Sequence, residues 1–143
     1  MERAMERVLG ITDGTTAELH ALALAAINGG SIAANVAAGR LGVSPTYLAK
    51  VLQAMASKGI IVSTRGSGGG FSLKKPASEL SCLEAIEALE GPLPSRYCLF
   101  EHAVCTKKTC AFRELCIDME KQIRSTLSTT TIEDLARSFQ DKE

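Results

Sequence analysis

Four cysteines lie close together in the C-terminal half of the sequence, at positions 98, 105, 110 and 116, in the pattern C-x6-C-x4-C-x5-C. Thiolates are soft ligands that suit zinc and the irons of iron–sulfur clusters. The pattern lacks the paired C-x2-C units of zinc fingers and ribbons, so it favours an iron–sulfur cluster. A thiol-based switch is the second alternative, and structural zinc or no metal is the third.

Cys98 and Cys105 lie in a long connection, residues 91–109, that is rich in proline and polar residues. Cys110 directly follows this connection. In a compact chain a long connection without secondary structure is usually functional. His102 and Cys116 are both candidates for a fourth ligand. Cys116 also falls on an apolar helical stripe, which favours a place in the hydrophobic core. Cys82 is expected to be a buried apolar side chain. The predicted metal ligands are Cys98, Cys105 and Cys110.

The stretch from residue 31 to residue 75 has the pattern of a winged helix-turn-helix. We expect Ser31 to cap a first helix that ends near Gly39, and Ser44 to cap a second helix that begins at Pro45. Two β-branched or aromatic runs around a glycine-rich tip then predict a hairpin, the wing. The second helix has apolar residues at the spacing of one buried face, namely Leu48, Val51, Leu52 and Met55.

The charge distribution of this stretch predicts duplex DNA as a partner. No acidic residue occurs between Glu18 and Glu79, whereas the whole chain has 16 basic and 16 acidic residues. A segregated basic segment binds a polyanion while the rest of the protein stays acidic. We expect the second helix to enter the major groove and the wing to approach phosphates or the minor groove. The predicted DNA-contacting residues are Ser44, Thr46, Tyr47, Lys50, Arg65, Gly66, Ser67 and Gly68.

The remaining helices complete a mainly α fold with a small β-hairpin wing. We expect a helix over residues 14–27 before the winged segment, and another from Ser81 to residue 91 after it. A long helix after Thr109 carries an apolar stripe, which suggests a homodimer, and a short helix at 131–135 precedes a charged tail. The predicted domains are a winged helix-turn-helix at 9–80 and a sensor loop with a dimerisation helix at 81–143. The stripe consists of Phe112, Leu115, Cys116, Met119, Ile123 and Leu127.

The sequence predicts neither a membrane protein nor an enzyme. No run approaches the ~20 apolar residues of a membrane span, and the N-terminus lacks a signal-peptide pattern, so we expect a cytoplasmic protein without a membrane partner. No nucleophile–base pairing, carboxylate pair or phosphate loop points to an enzyme.

Several motifs resemble the bacterial winged-helix repressors that include IscR, NsrR, RirA and CymR. The resemblance covers residues 9–135. It implies a homodimer built on the long C-terminal helix, a palindromic operator, and an iron–sulfur cluster near the dimer interface, either 2Fe–2S or 4Fe–4S. The motifs that carry it are the turn and recognition helix at 42–48, the wing at 65–70, the stretch 88–92, the three-cysteine loop and the terminal 131–135.

The fourth cluster ligand departs from the family's patterns. NsrR-like members use a carboxylate in the first helix, where this chain has Thr16, and IscR-like members use a histidine where this chain has Arg113. IscR-like members also carry a glutamate at the position of Ala49, so their base preference does not transfer. The candidates for the fourth ligand are Cys116, His102, Glu18 and Asp13.

The sequence therefore predicts a DNA-binding transcriptional regulator, a repressor whose operator affinity is controlled by an iron–sulfur cluster that responds to iron, redox state or nitric oxide. One alternative is a clusterless repressor of the same family that senses thiol state or a partner protein. A second alternative, from a different class, is a zinc-stabilised protein-interaction module.

Overall fold

The structure of the chain is a computed structural model that describes residues 11–64, 69–93 and 110–140. Within those ranges most residues are helical, and three short strands form one antiparallel sheet in the order β1-β3-β2. The predicted mainly α fold with a small β wing is confirmed. The elements are α1 (Asp13–Ile27), β1 (Ser31–Ala33), α2 (Ala34–Leu41), α3 (Pro45–Ser57), β2 (Ile61–Thr64), β3 (Gly70–Leu73), a 3₁₀ turn (Ala77–Glu79), α4 (Cys82–Glu90), α5 (Arg113–Thr129) and α6 (Ile132–Gln140).

Helix α1 lies at the centre of the fold. The Thr12 hydroxyl caps it by accepting the amide of Thr15 at 3.2 Å. A cap of this kind satisfies one of the amides left free at a helix start. The helix packs against α3, α4 and α6 and against strands β1 and β3. Because it has neighbours on several sides, it is apolar around most of its circumference. Its buried residues are Thr15, Ala17, Glu18, Ala21, Leu22, Ala23, Leu24 and Ala25.

Residues 31–33 form a strand, which corrects the prediction that Ser31 caps a helix. Strand β1 pairs with β3, and Ile32 lies opposite Phe71. Both of these side chains are buried, so the pairing removes two large apolar groups from water. Helix α2 begins only at Ala34 and has no side-chain cap; the Ala34 amide donates instead to the carbonyl of Gly69, at 3.1 Å. The predicted two-stranded wing is thus part of a three-stranded sheet.

The C-terminal helices differ from the prediction at their ends. Helix α4 is capped by Ser81, as predicted, but α5 begins at Arg113, after Phe112, and not directly after Thr109. Helix α6 continues to Gln140, through residues predicted to be a tail. Its start is held by a reciprocal pair of bonds: the Asp134 amide donates to the Thr131 hydroxyl at 3.1 Å, and the Thr131 amide donates to the Asp134 carboxylate at 3.0 Å.

One hydrophobic core joins both predicted domains. Leu80, Ala85 and Ile132 belong to the same cluster of buried residues as Leu22 and Phe71. Helix α6 packs along α1, and its Phe139 ring stacks on His20 with 5.1 Å between ring centroids. The division into 9–80 and 81–143 remains a prediction about roles, because the two parts share one core. None of the helices in the described ranges has the length and apolar character needed to span a membrane.

Strands β1 and β3 approach each other closely at Gly70, which pairs with Ala33. A Cβ atom at this position would lie 2.9 Å from the Ala33 Cα and would overlap the Ile32 carbonyl. Real Cβ atoms do not approach backbone so closely, so only glycine fits between these strands.

We expect Gly70→Ala to lower the free energy of unfolding by about 1–3 kcal/mol, because the added methyl group forces the two strands apart. Urea denaturation measures this change. The matched control is Gly39→Ala in α2, where a Cβ meets nothing within 4 Å outside the helix's own backbone. This control is expected to raise stability by roughly 0.5–1 kcal/mol, because alanine favours the helix. A Gly70→Ala protein as stable as the wild type would contradict the strand pairing.

Candidate nucleic-acid interface

Helix α3 separates a buried face from an exposed one. Its start is fixed by the Ser44 hydroxyl, which accepts the Tyr47 amide at 3.1 Å, and by Pro45 at the first helical position. On the opposite face, Thr46, Lys50 and Gln53 are exposed. The predicted register of α3 is confirmed, because its buried residues are Leu48, Val51, Leu52 and Met55.

The first turn of α3 is suited to an anion. It carries no acidic residue, and free backbone amides and the positive end of the helix dipole lie at this terminus. Tyr47 is 37% exposed, and its hydroxyl lies beside the start of α1, 3.9 Å from where a Cβ on Gly14 would be. A groove of about 710 Å³ runs along this edge, between α1 and the turn that leads into α3. His20, Arg40 and Tyr47 are among its lining residues.

The base of the wing is held closed by two hydrogen bonds. The Gly70 amide donates to the Thr64 hydroxyl at 3.1 Å, and this hydroxyl donates to the Gly70 carbonyl at 3.2 Å. The ends of β2 and β3 are therefore held together directly before and after the wing tip. The predicted DNA-contacting residues of that tip, Arg65, Gly66, Ser67 and Gly68, lie outside the described residues.

Most basic side chains of this region point to solvent. Arg40, Lys50, Lys58 and Lys74 are exposed, and the sequence places no carboxylate between positions 18 and 79. Lys75 differs, because its ammonium group pairs with Glu84 at 2.7 Å. Positive charge is thus carried by α2, by α3 and the residue after it, and by the residue that follows β3. This is an arrangement that attracts a phosphate backbone.

The cysteines fall into two groups. Cys110 is half-buried and lies before α5, where its carbonyl accepts the Arg113 amide at 3.2 Å. Cys82 and Cys116 are buried, as predicted for core residues. Burial, and secondly the negative charge of Asp134, raise the pKa of the Cys82 thiol, which keeps it protonated and unreactive.

Three predicted residues of the cysteine segment, Cys98, His102 and Cys105, lie outside the described residues. Within the described ranges, no group of three or more His, Cys, Asp or Glu side chains is arranged to hold a metal ion. Of the three predicted cysteine ligands, Cys110 alone lies within the described residues, so the structure shows only its surroundings.

The two acidic candidates for the fourth ligand lie in different environments. Asp13 is exposed in the first turn of α1. Glu18 is 0% exposed, and neither of its carboxylate oxygens has a hydrogen-bond partner among the described residues. Burial, and secondly the charge of Glu90, raise the pKa of Glu18 to about 8.

The partners of Glu90 were not foreseen from the sequence. Glu90 ends α4, and its Oε1 accepts the hydroxyls of Thr12 at 2.6 Å and Thr15 at 2.8 Å. The available signal was Glu18 itself, an acidic residue one turn before Ala21 and Leu22 on the face of α1 that is otherwise apolar. An acid at such a position requires a partner or a proton.

The first residues of the apolar stripe are exposed within a single chain, whereas Met119, Ile123 and Leu127 are half-buried. Cys116 is its buried member, whereas Leu115 is 50% exposed and the preceding Phe112 is 43% exposed. Exposed apolar side chains aligned on one helix mark an interaction surface.

Comparison with known proteins agrees with this geometry. A structure of CymR, titled the global cysteine regulator of B. subtilis, superposes with a TM-score of 0.74 at 26% identity, covering 90% of this chain and 96% of that one. A structure of T. potens IscR, at 21% identity, shares the fold with a TM-score of 0.66 over 93% of this chain and 88% of that one.

Sequence comparison gives the same result. The transcriptional regulator IscR of Photorhabdus laumondii is 29% identical over 99 residues, which are 69% of this chain and 60% of that protein. The family model of Rrf2, described as an iron-dependent transcriptional regulator, matches residues 11–138. This family consists of DNA-binding regulators and not of enzymes, as predicted for this chain. The chain belongs to the Rrf2 family of transcriptional regulators.

Proposed function

We propose that this regulator is a homodimeric repressor that binds a palindromic DNA operator and whose affinity for the operator depends on an iron–sulfur cluster. The observation that carries the DNA-binding part is the exposed polar and basic face of α3, next to a wing and free of acidic neighbours in sequence. In this arrangement α3 enters the major groove and Arg65 in the wing tip reaches a phosphate or the minor groove. We expect the protein to act in the cytoplasm, where bacterial DNA lies.

The cysteines support the cluster part of the proposal. Cys110 lies outside the hydrophobic core and is half-buried, whereas Cys82 belongs to the core cluster and Cys116 is buried. We propose Cys98, Cys105 and Cys110 as cluster ligands, with a fourth ligand from among Cys116, His102, Glu18 and Asp13. Burial disfavours Glu18, and the exposed Asp13 is the remaining carboxylate candidate. A cluster of either type would supply sensitivity to iron, oxidants and nitric oxide.

A chain of packed elements connects the cysteine segment to α3. Helix α5 follows Cys110, and the Thr130 carbonyl at its end accepts the Cys82 amide at 2.8 Å. Helix α6 then packs along α1, and α1 packs against α3. A change in the cysteine segment that moves α5 would therefore act on the recognition helix through α6 and α1.

The similarity to CymR supports a second candidate, a clusterless repressor that senses thiol state or a partner protein. That similarity extends over 90% of this chain. The absorption spectrum of protein purified without oxygen separates the two candidates, because an iron–sulfur cluster is coloured and free thiols are not. Membership of a regulator family does not favour the third alternative, a zinc-stabilised protein-interaction module.

Substitutions on α3 and the wing test the DNA interface. We expect Lys50→Ala and Arg65→Ala each to weaken operator binding about tenfold, and Lys50→Ala to reduce the salt dependence by roughly one phosphate contact. Lys58→Ala is the matched control, because Lys58 is exposed at the opposite end of α3. Fluorescence anisotropy at several salt concentrations measures all three. Equal losses for Lys50→Ala and Lys58→Ala would mean that the N-terminal end of α3 does not enter the groove.

The dimer is tested on the apolar stripe of α5. Leu115→Glu places a charge where a partner helix is proposed to pack, so we expect a shift from dimer to monomer in analytical ultracentrifugation. Ser128→Glu adds the same charge at an exposed position of α5, about 140° around the helix from Leu115 at ~100° per residue. This control should remain dimeric. A dimeric Leu115→Glu protein would place the interface elsewhere.

The cluster is tested by replacing cysteines one at a time. Serine at Cys98, Cys105 or Cys110 should abolish visible absorbance and bound iron, because a hydroxyl is a poor substitute for a soft thiolate. Cys82→Ser and Cys116→Ala are the controls and should keep the colour, with Cys116→Ala costing roughly 1 kcal/mol of stability. Loss of colour in Cys116→Ala would identify Cys116 as the fourth ligand. A wild type that stays colourless after anaerobic reconstitution would support the clusterless repressor.

A further inference from the structure

The last residue of α4, Glu90, is hydrogen-bonded to the first turn of α1. Its Oε1 atom accepts the Thr12 hydroxyl at 2.6 Å and the Thr15 hydroxyl at 2.8 Å. Hydrogen bonds to an ionised carboxylate are shorter and stronger than those between neutral groups, and these two are short. Glu90 is exposed whereas Thr15 is fully buried. An exposed carboxylate thus supplies the partner of a buried hydroxyl that lies 75 positions away in the sequence.

The Thr12 hydroxyl makes this contact part of the helix start. It donates to Glu90 and at the same time accepts the Thr15 amide at 3.2 Å, the bond that caps α1. A hydroxyl has one proton to donate and two lone pairs, so both bonds form together. The carboxylate also lies at the amino end of α1, where the helix dipole favours a negative charge. Glu90 therefore fixes the first turn of α1 relative to the end of α4.

The recognition helix α3 lies beside the same turn of α1. A Cβ atom on Gly14 would be 3.5 Å from the Thr12 hydroxyl oxygen and 3.9 Å from the Tyr47 hydroxyl oxygen. Both hydroxyls therefore border one point on the surface of α1. Because Tyr47 belongs to the first turn of α3, a shift of the turn that Glu90 holds changes the place that this side chain occupies.

The last turn of α4 is also bonded to α5. Glu87, about one turn before Glu90, accepts the Arg124 guanidinium at 3.2 Å. The same guanidinium donates to the Leu93 carbonyl at 3.3 Å, just after α4 ends. One helical turn is thus tied to the proposed dimerisation helix and to the start of α1, directly before the cysteine segment in the sequence.

We propose that Glu90 is a positioning residue for DNA binding, which holds the first turn of α1 through its two threonine bonds and thereby sets the position of Tyr47. The inference rests on the proposed binding of DNA through α3. Glu90 acts on the operator through α1, and it gives the end of α4 a route to the recognition helix that does not pass through α6.

The sign of the effect on affinity separates positioning from electrostatics. Loss of a negative charge reduces repulsion of the phosphates, so by itself it leaves DNA affinity unchanged or raises it. We expect Glu90→Ala instead to weaken binding about tenfold, the effect of losing one hydrogen bond to a charged group. Glu90→Gln keeps an oxygen that accepts the two hydroxyls, and it should lose about threefold or less.

Fluorescence anisotropy at one salt concentration measures these affinities. The probe is a duplex that the wild-type protein selects from a pool of random-sequence DNA. Glu79→Ala is the matched control, because Glu79 is an exposed glutamate in the 3₁₀ turn and the substitution removes the same charge. It should bind at least as tightly as the wild type. A Glu90→Ala protein that binds as tightly as Glu79→Ala would overturn the proposal.

A double-mutant cycle tests whether Glu90 acts through α1. Thr15→Val removes the buried hydroxyl and keeps the β-branched shape, so it should weaken binding to the same extent as Glu90→Ala. The double variant should bind no more than about twofold more weakly than either single variant, because residues that act as one unit are not additive. Losses that multiply to about a hundredfold would mean that the two residues act independently and would contradict the proposal.

The position of Tyr47 can be followed without DNA. The chain has two tyrosines, Tyr47 and Tyr97, so 13C-labelled tyrosine rings give few NMR signals, and Tyr47→Phe assigns them. We expect Glu90→Ala and Thr15→Val to shift the Tyr47 ring signal by more than its line width, and Glu79→Ala to leave it in place. Thermal unfolding verifies that each variant is folded at the temperature of the measurement.

The two readouts separate the proposal from the proposed function. A Tyr47 signal that keeps its wild-type position in Glu90→Ala would overturn the positioning role, even if affinity falls. A wild-type protein that selects no duplex would contradict the proposed function, and the ring signal would still decide whether Glu90 positions the start of α3. Neither measurement needs iron.

Discussion

The fold depends on the burial of α1 between the winged segment and the C-terminal helices. Alanines at positions 21, 23 and 25 are fully buried, so α3, α4, α6 and the sheet can approach the helix from several sides. Small side chains allow this close approach, and larger ones would separate the surrounding elements. The winged segment and the C-terminal helices therefore share one hydrophobic core around α1.

This central position determines how the regulator can transmit a signal. Helix α3, which carries the exposed polar face, and α6, the last helix of the described residues, both pack on α1. A dense core passes on displacement because its parts cannot be compressed independently. In the proposed function, a change at the cysteines reaches the recognition helix by moving packed helices, and no flexible linker is needed between a sensor and a reader.

The same helix contains the feature that hydrophobic packing alone does not explain. Glu18 lies among the buried alanines and leucines of α1, with a proton in place of an ion-pair partner. Ionisable groups with strongly shifted pKa values concentrate at functional positions, although structural networks shift them as well. Glu90, whose charge contributes to this shift, ends α4 directly before the cysteine segment in the sequence.

The sequence by itself determined the local structure of the recognition helix, α3. The Ser44 cap, Pro45 and the spacing of Leu48, Val51, Leu52 and Met55 predicted the start and the buried face of α3 correctly, because caps and helical periodicity depend on neighbouring residues. The acid-free stretch and the motif resemblance identified a DNA-binding family for the same reason, since charge and motifs are properties of the sequence.

Tertiary structure decided what depends on distant residues. Ser31 has the side chain of a good cap, but residues 31–33 pair with β3 because burying Ile32 against Phe71 outweighs a local cap. Residues 136–140 have the polar composition of a tail, yet they are helical. Ala136 is buried and the Phe139 ring stacks on His20 of α1, and this packing stabilises the last turns of α6. The partners of Glu90 and the isolation of Glu18 were likewise fixed only by packing, which brings residues 75 positions apart within hydrogen-bond distance.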